Sequence, residues 1–152
     1  MIEYSKAKLS DIASMQELVR PEVERGIILF RSSDEMATNI RSYILAKKEG
    51  TIIGFGALHF HADDLAEVRS LMVKEGFRGL GVGKGIVEAL LKEGRMMDVK
   101  KIFTLTYQKA FFEAVGFHEI PKESLPSQKI WADCIKCKHF PVCDEIALIK
   151  IL

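Results

Sequence analysis

The chain lacks a charge excess, a long uncharged apolar run and an even set of cysteines, and each absence excludes something. Its 22 basic and 21 acidic residues leave a formal charge of +1. That is too balanced for a protein that binds nucleic acid by neutralising phosphates along its length. Any anion site must therefore be local. No stretch is long and apolar enough to span a bilayer, and Met1-Ile2-Glu3-Tyr4-Ser5-Lys6 does not open on the core of a secretory signal. A cytoplasmic protein that stays off membranes is expected, with its three cysteines reduced. An odd number crowded between Cys134 and Cys143 also argues against a disulfide framework. Internal repeats, low-complexity tracts and linkers are missing too. At 152 residues the chain suits one domain over 1–152, large enough to bury its own core.

What is present has the composition of an ordinary globular protein, with 48% hydrophobic and 28% charged residues. The pattern predicts a short strand over Ile2 to Ala7. A helix capped by Ser10 follows, carrying Ile12, Met15, Leu18 and Val19 on one side, and Pro21 is expected to disturb its end. Ser32 with Glu35 has capping-box spacing, so a second helix begins at Ser32 or Ser33. A hairpin is expected next, Tyr43 to Lys47 and Thr51 to Phe60 around Lys48-Glu49-Gly50, with His61-Ala62-Asp63-Asp64 breaking the second strand. Leu65 to Lys74 reads as a further strand, and Val82 to about Met97 as an amphipathic helix. Lys101 to Tyr107 is another strand, Ala110 to Val115 a short helix stopped by Gly116, and Phe117 to Ile120 extended. A Pro- and Cys-bearing loop over about 121–143 leads to a last apolar strand. Antiparallel strands followed by strand–helix–strand units indicate an α/β (α+β) fold with a mixed, mostly antiparallel sheet.

Arg78-Gly79-Leu80-Gly81-Val82-Gly83-Lys84-Gly85 lies between a predicted strand and a predicted helix. Closely spaced glycines let backbone approach an anion, and the first N–H groups of the helix point at it. The helix dipole adds roughly 0.3–1 kcal/mol at an exposed site, and Arg78 and Lys84 add full charges. Neither familiar phosphate loop fits. A Walker A loop requires Ser or Thr after its lysine, where Gly85 stands. A dinucleotide fingerprint requires a third glycine where Lys84 or Ile86 stands. The plain alternative is a glycine turn that serves only tight strand–helix packing.

Arg-x-x-Gly-x-Gly following Leu71-Met72-Val73, together with Phe111-Phe112-Glu113-Ala114-Val115-Gly116-Phe117 downstream, resembles the acetyl-CoA site of the GNAT N-acetyltransferase superfamily. The resemblance implies a GNAT fold with acetyl-CoA as co-substrate. Leu71, Met72 and Val73 would pair with the pantetheine amides and splay from the strand Ile102 to Thr106 to open a slot for the acetyl group. The N–H groups around Leu80 to Lys84 would hold the pyrophosphate, and Phe111 and Phe112 would line the thioester end. A tyrosine that serves many of these enzymes as acid for the leaving thiolate is replaced here by Phe112. Tyr107 is the candidate substitute, or else a packed aromatic at a strand end.

Nearly the whole chain is similar to the short, kinase-less N-acetylglutamate synthases of bacterial arginine biosynthesis. The residues that carry this are Leu29-Phe30-Arg31-Ser32, Ala66-Glu67-Val68-Arg69-Ser70-Leu71, Leu105-Thr106-Tyr107-Gln108 and a tail from Leu125-Pro126 through Lys129-Ile130-Trp131-Ala132-Asp133-Cys134 to Cys143-Asp144-Glu145. Lys109 departs from the proline common at that position in that family, and Phe30 sits in that family's Leu-Pro-Arg-Ser segment. The resemblance implies L-glutamate as the amine. Its two carboxylates call for arginine forks, for which Arg31 and Arg69 are candidates, with Ser32, Ser70 and Thr106 nearby in sequence. Strand parity puts Glu67 and Arg69 on one face, where they either pair or share a site, unless a bulge upsets the parity. Glu67 is the candidate base for the amine proton, directly or through water. Direct transfer is expected, with the oxyanion of the tetrahedral intermediate on a backbone N–H near Met72 or Val73.

Cys134, Cys137, His139 and Cys143 offer three thiolates and an imidazole, an inventory that would fill a structural zinc shell. The alternative is a loop of reduced, packed cysteines around Trp131 and Phe140. His59, His61 and His118 carry no ligand spacing and read as ordinary strand or loop residues. Three functions stay open at this point: transfer to glutamate, transfer to another amine, and a non-catalytic acyl-CoA-binding module. The free edges of such a sheet would also allow a homodimer.

Overall fold

The computed structural model describes residues 1–125 and 145–152. Its strands are β1 (Ile2–Lys6), β2 (Tyr43–Lys48), β3 (Thr51–Ala62), β4 (Leu65–Val73), β5 (Lys101–Thr106), β6 (His118–Ile120) and β7 (Ile146–Ile151). Its helices are α1 (Ile12–Glu24), α2 (Ser33–Thr38), α3 (Val82–Met96) and α4 (Lys109–Ala114). The strands form one seven-stranded mixed sheet in the order β1-β2-β3-β4-β5-β7-β6. Every neighbouring pair is antiparallel except β4 and β5, which run parallel. That exception follows from α3, the crossover joining the two strands.

Each sheet face has its own core. On one face α3 buries Val82, Ile86, Val87, Leu90 and Leu91 against Leu58, Ala66, Val68, Ile102 and Leu148. On the other, Ile12 and Met15 of α1 and Met36 of α2 pack on Tyr43, Leu45, Phe55, Ala57 and Met72. β4 contributes to both in an order that period two does not allow. Ala66 and Val68 face α3, yet Met72, also even-numbered, lies in the α1 core. The register explains it: Phe55 pairs with Met72 but Ala57 with Arg69, so β4 carries one extra residue. Ser70 absorbs it with φ 57. This is a β-bulge, and it reverses which side chains face the helices beyond it. Glu67 and Arg69 precede the bulge, so they share one face, the face that Met72 joins.

Three boundaries differ from expectation. Pro21 does not end α1, which continues to Glu24: the missing N–H costs one bond within the helix, and Arg25 N–H donates to Pro21 O at 3.1 Å at the helix end. Ser10 does not cap the first helix. Lys8 stands at the start in extended backbone, its N–H bonded to Asp11 Oδ2 at 2.8 Å, and a 3₁₀ turn over Leu9–Asp11 leads into α1. Most consequential, His61 and Ala62 do not break β3, which runs through Ala62 and turns only at Asp63-Asp64. Residue polarity there reflects a strand face turned to a polar partner, not a strand end. Ser32 does cap α2, accepting Glu35 N–H at 3.1 Å.

Candidate active site

The parallel ladder between β4 and β5 covers Leu65–Lys101, Ala66–Ile102 and Glu67–Phe103 and stops there. Beyond it the two strands part. Thr104 marks the fork, its buried hydroxyl donating to Val68 O at 2.9 Å in place of a ladder bond. Past the fork opens a cleft of about 750 Å³, walled by β4 from Glu67 to Val73, by Thr104 to Gln108, by Phe111 and Phe112, by Glu22 and Val23 at the end of α1, and by Arg25 to Arg31 after it. Its far end reaches Arg78, Gly79, Gly81, Gly83 and Lys84.

That far end is built for an anion. Gly79 and Gly81 hold φ near 79° and 82°, a region open to glycine and strained for other residues. Gly81 is the N-cap of α3 and has no side chain to cap with, and the first bond into the helix is Gly85 N–H to Gly81 O at 3.0 Å. The N–H groups of Val82, Gly83 and Lys84 therefore precede the helix's own hydrogen bonding, and the positive end of its dipole faces the cleft. Gly83 is small for a second reason. A Cβ there would lie 3.3 Å from the ring of Phe111, which packs across the first turn of α3.

Arg78 is placed differently from a simple phosphate ligand. Its Nε donates to Val73 O at 2.9 Å and its Nη2 to Glu22 Oε1 at 2.7 Å, so the guanidinium ties the loop to both β4 and α1. Lys84 is exposed at the rim. Leu80 is 70% exposed, and neither it nor Val82, whose side chain is buried in the α3 core, lines the cleft. Of these two residues only the backbone is positioned to meet a ligand. Phe112 reaches the cleft but is mostly core, edge-on to Phe111 and Phe117.

At the fork end, Glu67 is almost wholly buried and lines the cleft with Arg69, Ser70 and Arg31. Arg31 is also buried, and its Nη1 donates to Glu35 Oε2 at 2.8 Å. Ser32 lies outside the cleft and serves as a helix cap. Thr106 and Tyr107 line the opposite strand. Thr106 Oγ1 accepts Gln108 N–H at 2.9 Å, which turns the chain into α4, and Tyr107 is partly exposed. Sequence reasoning missed three site residues: His61, Thr104 and Glu22. His61 Nε2 lies 2.9 Å from Glu67 Oε1, with the two side chains 5% and 1% exposed. The available signal was the strand period that sets His59 and His61 on one face. The cysteine set and His139 lie outside the described residues.

Residues 11–120 match the Acetyltransferase (GNAT) family. The chain belongs to that family. GNAT enzymes take their acetyl group from acetyl-CoA, so the co-substrate of this N-acetyltransferase is acetyl-CoA, and the forked strands and uncapped glycine turn fit its extended form. An uncharacterised N-acetyltransferase of Chlorobaculum tepidum is 39% identical over 96% of this chain and 94% of its own length. The amino-acid acetyltransferase of Mycobacterium tuberculosis is 30% identical over 76% of the chain and 67% of its own length. The amino-acid acetyltransferase of Vibrio atlanticus is 29% identical over 84% of the chain, which spans only 29% of that longer protein. Among solved structures, N-acetylglutamate synthase from Neisseria gonorrhoeae complexed with coenzyme A and N-acetyl-glutamate superposes with a TM-score of 0.88 at 22% identity, over all of this chain and 35% of that one. No helix among the described residues is long and apolar enough to cross a membrane.

Proposed function

We propose that this GNAT enzyme is an amino-acid N-acetyltransferase that moves acetyl from acetyl-CoA directly to the α-amine of L-glutamate, the first step of arginine biosynthesis in the cytoplasm. The observation that carries the reading is that Arg31, Arg69 and Glu67 line one cleft at the fork where an acetyl group would lie. Two guanidinium groups suit two carboxylates, each by paired N–H donors. Glu67 receives the ammonium proton, directly or through water, and frees the lone pair that attacks the thioester carbonyl. The amides of Val82, Gly83 and Lys84 hold the diphosphate and, with Arg78 fixing the loop, set the thioester at the fork. A backbone N–H near Met72 or Val73 stabilises the oxyanion. The N-acetylglutamate synthase of Neisseria gonorrhoeae, whose structure carries coenzyme A and N-acetyl-glutamate, is in keeping with this reading.

A second reading, transfer to another amine, has one observation in its favour: Arg31 already meets the carboxylate of Glu35, which offsets part of its charge. Release of free thiol from acetyl-CoA across the twenty amino acids separates the two. Glutamate is expected to lead. Arg31→Ala is expected to raise the glutamate KM by about 10–100-fold, the worth of a lost charge-assisted hydrogen bond. An equal loss for every amine would make Arg31 a folding residue and overturn the glutamate assignment.

A further inference from the structure

The pair formed by His61 and Glu67 is the polar group most deeply set in the sheet next to the cleft, and direct transfer as described above gives His61 no part. Antiparallel pairing sets His59 opposite Glu67, and the register shift between Phe60 and Ala62 falls at His61, whose Nε2 reaches Glu67 Oε1 at 2.9 Å. The imidazole is walled by Phe103 of β5, with ring centroids 5.3 Å apart, and by His59, edge-on at 4.8 Å. Glu67 lines the cleft, whereas neither histidine does. His61 is therefore behind the carboxylate, out of reach of a substrate.

A carboxylate taken out of water must be hydrogen-bonded to stay ionised. Facing a carboxylate oxygen, the imidazole nitrogen that satisfies it carries the proton. We propose that His61 is a positioning residue for Glu67: its Nε2–H holds Oε1, fixing the carboxylate in its plane and keeping it ionised for the incoming ammonium group. This rests on the assignment of Glu67 as base. In the step itself an N–H bond of the ammonium breaks and an O–H bond forms on Glu67. The Nε2 proton remains on His61 throughout, and Glu67 returns its proton to solvent before the next turnover. Titratable or charged groups facing the pair are His59 on β3, Arg69 on β4 and Lys101 on β5, with Arg31, Tyr107 and Glu145 across the cleft. His59→Ala removes the other imidazole beside the pair, the cross-strand neighbour of Glu67, without removing either atom of the Nε2–Oε1 bond, and is the comparison variant.

The test compares His61→Ala, His61→Gln, Glu67→Gln and the His61→Ala, Glu67→Gln double variant. Each is assayed with acetyl-CoA and the amino acid that gives fastest thiol release. Loss of His61 is expected to lower kcat/KM by about 10–100-fold, a share of what a general base supplies. It should move the acidic limb of the pH profile upward by about one unit, because the buried carboxylate has lost a donor to its charged form. The KM for acetyl-CoA should not change. His61→Gln, whose amide N–H donates, should recover part of the rate. The double variant should be no slower than Glu67→Gln alone, since both act through one carboxylate. Long-range nitrogen–proton spectra of the free protein should show Nε2 of His61 protonated, a readout that needs no substrate and no folded variant. An unmoved acidic limb in His61→Ala, additive losses in the double variant, or an unprotonated Nε2 would each overturn the proposal. If Glu67→Gln itself keeps the rate and the limb, the assignment of Glu67 as base has failed instead.

Discussion

Glu22 shows how much one side chain does to shape the anion end of the cleft. Its Oε1 takes Nη2 of Arg78 at 2.7 Å and Nη2 of Arg25 at 3.2 Å, while Oε2 is buried and makes no hydrogen bond. Through Arg78 it also holds the start of the glycine turn against β4. Glu22→Ala should lower stability by about 1 kcal/mol, read as a fall in urea midpoint with unchanged slope. That is the lower end of the range for charged hydrogen bonds, because both arginines are half exposed. Glu22→Gln, which keeps one acceptor, should lose less. An unchanged midpoint in Glu22→Ala would mean the contact is ornamental in solution. Nothing in the sequence announces Glu22: it lies 56 residues from Arg78, in a helix face that reads as solvent. Arg78 was legible because its spacing to the glycines is local, but its partners were not. His61 is hidden for a related reason, since polar residues close to a turn have the pattern of the turn itself.

At the scale of elements, the site depends on a bulge and a turn that reshape regular structure. The bulge at Ser70 sends Met72 to the α1 face and lets β4 leave β5 after Glu67. Gly54 shows how closely the next strand must follow: a Cβ there would sit 2.8 Å from Met72 O. The glycine turn is testable by comparison. Gly81 and Gly76 both have positive φ, and a Cβ at either would meet nothing within 4 Å. Alanine at each should therefore cost a similar amount, about 1–2 kcal/mol of backbone strain. Only Gly81 lines the cleft and caps α3. Gly81→Ala should thus weaken coenzyme A binding in calorimetry, while Gly76→Ala should not. Equal affinities in the two variants would remove the turn from the anion site. Glycine spacing made this turn readable from sequence, as hydrophobic period made α3 readable. The position of the bulge was not readable, because the extra residue leaves no mark in the apolar pattern until its partner strand is known.

For the molecule as a whole, the order of elements and two motifs made the fold legible, and the pairing of β4 with β5 followed from the crossover helix. What escaped were contacts across the sheet, which depend on register and not on local pattern. The chain's near-zero net charge bears on the last expectation. With no broad positive field to gather anions, binding of a coenzyme with several negative charges must come from the cleft alone. A ligand that binds only the folded state stabilises it by mass action, about 2.7 kcal/mol at a hundred times its Kd. For a domain of this size each kcal/mol moves Tm by roughly 2–4 °C. Saturating coenzyme A should therefore raise Tm by about 5–10 °C. Inorganic diphosphate, which occupies only the glycine turn, should raise it less, and Gly81→Ala should reduce both shifts. If coenzyme A gave no shift while the protein melted cooperatively, the cleft between β4 and β5 would not be a coenzyme site. The assignment of Glu67, Arg31 and Arg69 to substrate chemistry would then fall with it, because all three line that cleft.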